Sequence, residues 1–178
     1  RLIMNFAKKN KINYGILRYF NIAGSSPSGK IGLISRKSDH LFKNFSIELM
    51  KKKPKLKIYG TDYQTKDGSC VRDFIHVSDI AEIHFLILEK INKMNISKIL
   101  NCGYNKGLSV LEVAKEFSRQ STKKIEIIYT KRRNNDLTKI IASTNKLKKF
   151  IKWKPQFNNL EKIVKSSIDW EKKLNNLE

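Results

Sequence analysis

Apolar positions recur along this chain with two periods, and the switches between them predict the order of elements. Leu2, Ile3, Phe6 and Ala7 share one side of a helix ending near residue 10, and Tyr14 to Asn21 is a dense apolar run of strand length, as in a buried parallel strand. A Gly/Ser/Pro-rich loop follows from Gly24 to Gly29. Residues 39–53 return to helical spacing, with Leu41, Phe42, Phe45 and Leu49 on the apolar side and Pro54 as the stop. Leu56–Tyr59 and Val71–Val77 read as strands on either side of a polar loop holding Gly60 and Gly68. Asp79 with Glu82 reads as a capping box opening a helix to about Asn92, and Ser109 with Glu112 as a second one opening a helix to about Gln120. Between them lies a strand, Lys98–Cys102, ending at Gly103; Ile125–Tyr129 alternates as another strand. Helical stretches at 143–150 and 159–175 flank Trp153, Pro155 and Phe157. Strands alternating with helices predict an α/β fold with a largely parallel sheet, and any second domain must interleave with the first.

Composition supports a packed protein: 178 residues, 40% hydrophobic and 10% aromatic, suffice for a core and exclude a disordered chain. The formal charge of +21 points by itself to nucleic acid or an anionic surface. The plainer reading is a solvated surface, because 30 of the 37 basic residues are Lys, scattered among Asn and Ile, and Lys51–Lys53 and Lys146–Lys149 fit exposed helix faces. The seven arginines are Arg1, Arg18, Arg36, Arg72, Arg119, Arg132 and Arg133. Cys70 and Cys102 are far apart and form neither a disulfide framework nor a zinc motif. No apolar run is long enough to span a bilayer, so a cytoplasmic protein without a membrane partner is expected.

Neither a G-x-G-x-x-G loop nor a Tyr-x-x-x-Lys pair occurs. What remains is a set of polar loops at strand ends, where ligands of such sheets bind. Arg72 and Arg133 are the natural anion clamps there, since a guanidinium fork matches phosphate oxygens. The residues alone therefore predict an anion-binding α/β domain.

Longer motifs carry a resemblance. Leu17-Arg18-Tyr19-Phe20-Asn21, the run from Ile58 to Asp79 with its DY-x-T-x-DG and VRDFIHV cores, Asn101-Cys102-Gly103 followed by Ser109 to Val113, Arg132-Arg133-Asn134-Asn135-Asp136, and Trp153-Lys154-Pro155 resemble, in order, the motifs of the UDP-glucose 4-epimerases. VRDFIHV is shared with other nucleotide-sugar enzymes of the extended short-chain dehydrogenase/reductase group; DY-x-T-x-DG together with LRYFN is more specific. The resemblance implies a partial NAD-binding Rossmann-type fold with an interleaved substrate-binding domain, residues 1–178 forming the carboxy-terminal part.

It also implies roles. Asn21 would hydrogen-bond the UDP-sugar, with Phe20 packing in the sugar pocket and Tyr19 beside the nicotinamide of NAD. Arg72 and Arg133 would grip the diphosphate, and Asp136 would accept from the ribose. Lys57 and Tyr59 fall on the uracil-contacting strand, His40 and Leu41 at a helix start near the phosphates, and Ile140 near the position that gates N-acetylated sugars. His76 and His84 read as structural. Two departures stand out: Asn135 replaces a glycine and tolerates left-handed backbone angles, and the Gly24–Ser38 loop is unusual for the family.

Because Arg1 lies inside an apolar-periodic stretch, the chain reads as a fragment. The resemblance implies that the Gly-rich NAD loop and the Tyr-x-x-x-Lys pair lie upstream, that this chain alone is inactive, and that the full-length parent is a homodimer acting on UDP-glucose and UDP-galactose. An exposed sheet edge and apolar face should then make the fragment poorly soluble. The alternatives are another NAD-dependent nucleotide-sugar epimerase or dehydratase, whose usual N-x-Y-G-P is not matched by Asn21 to Ser25, and a basic nucleic-acid-binding module resting on charge alone.

Overall fold

A computed structural model of the chain describes residues 1–35 and 38–176. Arg36 and Lys37, within the unusual loop, lie outside the described residues. Helix α1 (Leu2–Asn10) forms as its periodicity predicts, and ends where Lys11 turns left-handed at φ 54°. Of its apolar side only Ala7 is buried; Leu2, Ile3 and Phe6 face solvent.

The run Tyr14–Asn21 is not one strand. It divides into β1 (Gly15–Tyr19) and β2 (Asn21–Ala23). The run Val71–Val77 divides likewise into β4 (Val71–Arg72) and β5 (Phe74–His76), with Val77 already helical. β2 and β5 pair in parallel, while β4 lies between β7 (Leu108–Ser109) and β9 (Lys139–Ile140).

Asp73 is the physical reason for the second division. Its N–H donates to Ile140 O (3.1 Å), whereas its carbonyl accepts from Asn21 N (3.2 Å), so the strand changes partners across one residue. Its fully buried carboxylate accepts from the N–H groups of Tyr104 and Asn105 (3.0 Å each) and Ala142 (3.2 Å). Burial lifts the Asp73 pKa above the usual range although these donors pull it down. Gly103 belongs to the same knot: a Cβ there would meet Ala142 Cβ at 2.5 Å and Asp73 Oδ2 at 2.7 Å.

β3 (Lys55–Tyr59) pairs in parallel with β8 (Glu126–Thr130), and β1 with β6 (Lys98–Cys102). Among the described residues four of the five strand pairings are therefore parallel, but they fall in four small sheets rather than one. Among the described residues β1 is bonded to β6 alone. Beside that edge Phe85 and Leu88 of α3 (Val77–Met94) are also exposed, which matches the open apolar face expected from sequence.

Helix α2 (Leu41–Met50) buries Phe42, Phe45 and Leu49 as its spacing predicts, yet ends before Pro54. Its stop is a cation: Lys123 Nζ donates to the carbonyls of Leu49, Met50 and Lys51 at 2.9–3.2 Å, satisfying acceptors the helix end leaves open. Phe42 and Phe45 meet Phe117 of α4 (Val110–Gln120) edge-on at 5.5 Å between centroids. α2 also lies on α6 (Leu160–Asn175), joined to it by a buried ion pair, Lys43 to Glu171 at 2.6 Å. A short α5 (Asn145–Phe150) packs beside β6.

Helix starts divide the two capping-box readings. Ser109 and Glu112 do bond reciprocally at the start of α4. Asp79 and Glu82 do not cap α3; His76 does, its Nδ1 accepting from Ser78 N–H at 3.1 Å. Asp79 instead accepts from the backbone of Gln156 and Phe157 (3.0 Å each) and from the Tyr104 hydroxyl, and Glu82 from Trp153 Nε1 (3.2 Å). These acids fasten the Trp153–Phe157 segment. His76 stacks on Phe157 at 4.3 Å, and burial depresses its pKa.

Candidate functional site

Strand β3, Arg72 of β4, the loop after β8 and one face of α2 along its length enclose a cleft of about 590 Å³. That is the size of a small-molecule site. Its wall holds five cationic side chains (Lys51, Lys55, Lys57, Arg72, Arg133) and three carboxylates (Asp39, Glu48, Asp136), so anions are favoured there.

Arg72 ends β4 and is braced twice: Nη1 donates to Val71 O at 2.8 Å, and Nη2 pairs with Asp136 Oδ1. The other oxygen of Asp136 accepts from the Tyr63 hydroxyl at 3.1 Å. Arg133 lies over the Tyr59 ring at 4.2 Å, and Arg132 over the Tyr63 ring at 4.1 Å while its Nη2 donates to Asp136 O at 3.0 Å. The turn carrying these groups closes through Asn135 at φ 59°, so this asparagine does adopt the left-handed conformation expected of it. Burial first, and Asp136 second, push the Tyr63 phenol above its ordinary pKa. Asn21 reaches the wall from β2, its Nδ2 donating to Asp73 O at 3.3 Å. His40 and Leu41 open α2, where a helix start favours anions.

Of the residues singled out in the sequence, Asn21, His40, Leu41, Lys57, Tyr59, Arg72, Arg133 and Asp136 share this cleft. Phe20 and Ile140 do not line it, although Ile140 is the β9 partner of Arg72. Tyr19 stands apart, 47% exposed and 6.0 Å from the His84 ring. Sequence reasoning missed Lys55, Cys70 and Asp39; Lys55 was recoverable, since it shares a face of β3 with Lys57. Cys70 is buried with its thiol pKa raised by desolvation, so it is no nucleophile at neutral pH. A second cavity of about 540 Å³ lies between the Ile22–Leu33 loop, α2 and α6, and its charged residues Lys43 and Glu171 neutralise each other. Among the described residues, no cluster could hold a metal ion and no helix is long and apolar enough to cross a membrane.

Strand-end loops that gather two guanidinium groups and a carboxylate around one cleft define an anion-binding α/β domain of Rossmann type. A model of the NAD dependent epimerase/dehydratase family matches residues 1–103, and the chain belongs to that family. It is 38% identical over 159 residues to a UDP-glucose 4-epimerase of Azospirillum brasilense, covering 89% of this chain and 46% of that protein. Its structure resembles a UDP-glucose 4-epimerase of Stenotrophomonas maltophila with bound NAD and formylated UDP-arabinopyranose (TM-score 0.91, 27% identity, 99% of this chain and 53% of that one). It also resembles the Bifidobacterium longum UDP-glucose 4-epimerase in complex with NAD+ and UDP (TM-score 0.85, 28% identity, 98% and 52%). The chain spans about half the length of the curated relatives it matches.

Proposed function

We propose that the cleft binds a uridine diphosphate-sugar, and that the whole protein is a UDP-glucose 4-epimerase interconverting UDP-glucose and UDP-galactose through a 4-keto sugar. The observation that carries the reading is the convergence of Arg72, Arg133 and Asp136 on one cleft. Two guanidinium groups suit a diphosphate, and a carboxylate suits a ribose diol. Lys57 and Tyr59 extend the site along β3 toward the base, and Asn21, with Phe20 beside it in sequence, marks the sugar end; Ile140, the β9 partner of Arg72, is assigned there with them.

NAD, when bound, supplies the hydride acceptor for the sugar carbon. This chain fits that cofactor poorly: it offers Tyr19 and no glycine loop to cradle the phosphates. Its part is to bind and orient the sugar nucleotide. The proton-abstracting Tyr-x-x-x-Lys pair is absent from its 178 residues, so the chain alone does not turn over substrate. Within it, β1 and β6 with α3 belong to the Rossmann part, and β3 and β8 with α2 and α4 to the substrate part. The parent is a cytoplasmic homodimer.

Calorimetric titration of the chain with UDP tests the reading. Saturable one-to-one binding is expected, weakened about ten- to hundredfold by Arg72→Ala or Arg133→Ala, the range for a lost charge-assisted contact. No saturation by UDP, with salt-sensitive DNA binding instead, would sink it in favour of the nucleic-acid alternative. Turnover of UDP-galactose by the purified chain would refute the inactivity.

A further inference from the structure

Tyr63 belongs to the DY-x-T-x-DG stretch, but its residue type alone assigns it no task. It is 4% exposed and does not line the cleft. Yet it touches two residues of the turn that does: its hydroxyl donates to Asp136 Oδ2 at 3.1 Å, and its ring lies under Arg132 at 4.1 Å. Its own place is fixed from behind. Tyr63 N–H donates to Gly68 O at 3.0 Å, and the ring packs so closely on Gly60 that a Cβ there would come within 2.4 Å of Cε2.

We infer that Tyr63 is a positioning residue of the nucleoside site, holding the Asp136 carboxylate where it meets the ribose hydroxyls; this rests on the UDP reading above. A carboxylate has about four acceptor sites on its two oxygens. Arg72 takes one on Oδ1 and Tyr63 one on Oδ2, which stops rotation of the carboxylate plane and leaves one site on each oxygen for a diol. Without the phenol, Oδ2 loses this donor and the plane is held by Arg72 on one oxygen alone, free to pivot about that contact. Burial and Asp136 raise the Tyr63 pKa, which favours the protonated, donating hydroxyl. Tyr63 thus reaches bound ligand only through Asp136.

The test is calorimetric titration of the 178-residue chain with UDP and with 2′,3′-dideoxy-UDP. Tyr63→Phe retains the ring, its packing on Gly60 and its contact with Arg132. It should weaken UDP by about tenfold, the size of one hydrogen bond to a charged acceptor, and dideoxy-UDP by less than about twofold. In an Asp136→Ala background, where no side-chain acceptor is left for the phenol, the same substitution should cost UDP nothing further, a check that also stands if Tyr63→Phe alone lowers the melting temperature. Equal losses for both nucleotides would mean a merely structural role and overturn the inference. So would an unchanged affinity for UDP, or a wild type that binds both nucleotides equally. A wild type that binds neither removes the UDP reading itself.

Discussion

Glu171→Gln removes one charge from the pair that joins α2 to α6 while leaving its shape. The side chains of Lys43 and Glu171 are only 6% and 8% exposed, at 2.6 Å. Although both side chains border the second cavity, so little of either is exposed that water is a poor substitute for a lost partner, and the ammonium is left largely uncompensated. Breaking such a pair costs about 3–5 kcal/mol, against about 0–1 for an exposed one. With m near 2 kcal/mol/M, a loss of ~3 kcal/mol moves a urea midpoint down by about 1.5 M. Lys43→Met should cost a similar amount. The double variant Lys43→Met/Glu171→Leu should return to within about 1 kcal/mol of the parent, because well-packed apolar residues replace such pairs at little cost. Urea unfolding followed by tryptophan fluorescence reads all three, Trp170 being a neighbour of Glu171 in the chain. If either single variant loses less than about 1 kcal/mol, the pair is hydrated and the reasoning from burial is wrong. The consequence extends to the cleft, since α2 contributes His40, Leu41 and Phe42 to its wall.

Acidification should destabilise the fold through His76. Its pKa is depressed by burial and its Nδ1 must stay unprotonated to accept from Ser78, so its stabilising share is present above about pH 6.5, the ordinary histidine value, and is lost as pH falls through the folded value. His76→Asn keeps a capping acceptor but cannot titrate; unfolding free energies between pH 7 and pH 5 should show a shallower slope, and an unchanged slope would clear His76 of this role. Neither thiol should react with a thiol reagent at pH 8 while the chain is folded, because burial raises Cys70 and pushes Cys102 up to about 11; both should react in denaturant, and rapid labelling of the folded chain would contradict the burial.

What the sequence made legible was local. Helix α2, strand β6 and the Ser109–Glu112 box are specified by neighbours a few residues apart, and they form where expected. The divisions at Phe20 and Asp73 were not legible. An apolar run looks the same whether its strand keeps one partner or changes to another, and the change depends on Ile140 and Asn21, far away in sequence. Two-residue strands such as β7 and β9 carry no period at all. Asp79 and Glu82 had the spacing of a cap, but long-range donors at Tyr104, Trp153, Gln156 and Phe157 claimed them. In the site, Arg72 and Arg133 could be found by chemistry alone, whereas Asp136 needed the motif. Tyr63 needed the folded arrangement, because its hydroxyl acts on a residue 73 positions away.

The peptide at Asp73 also works as a gauge. Arg72 stands on one side of it, and on the other its carbonyl takes both the backbone and the side-chain N–H of Asn21, at 3.2 and 3.3 Å. A guanidinium and an amide of the same cleft wall are thus mounted on one rigid link. Their backbones cannot move apart without breaking the main-chain hydrogen bond from Asn21 to Asp73, so the spacing of these two anchoring points is set by the fold and not by what enters the cleft.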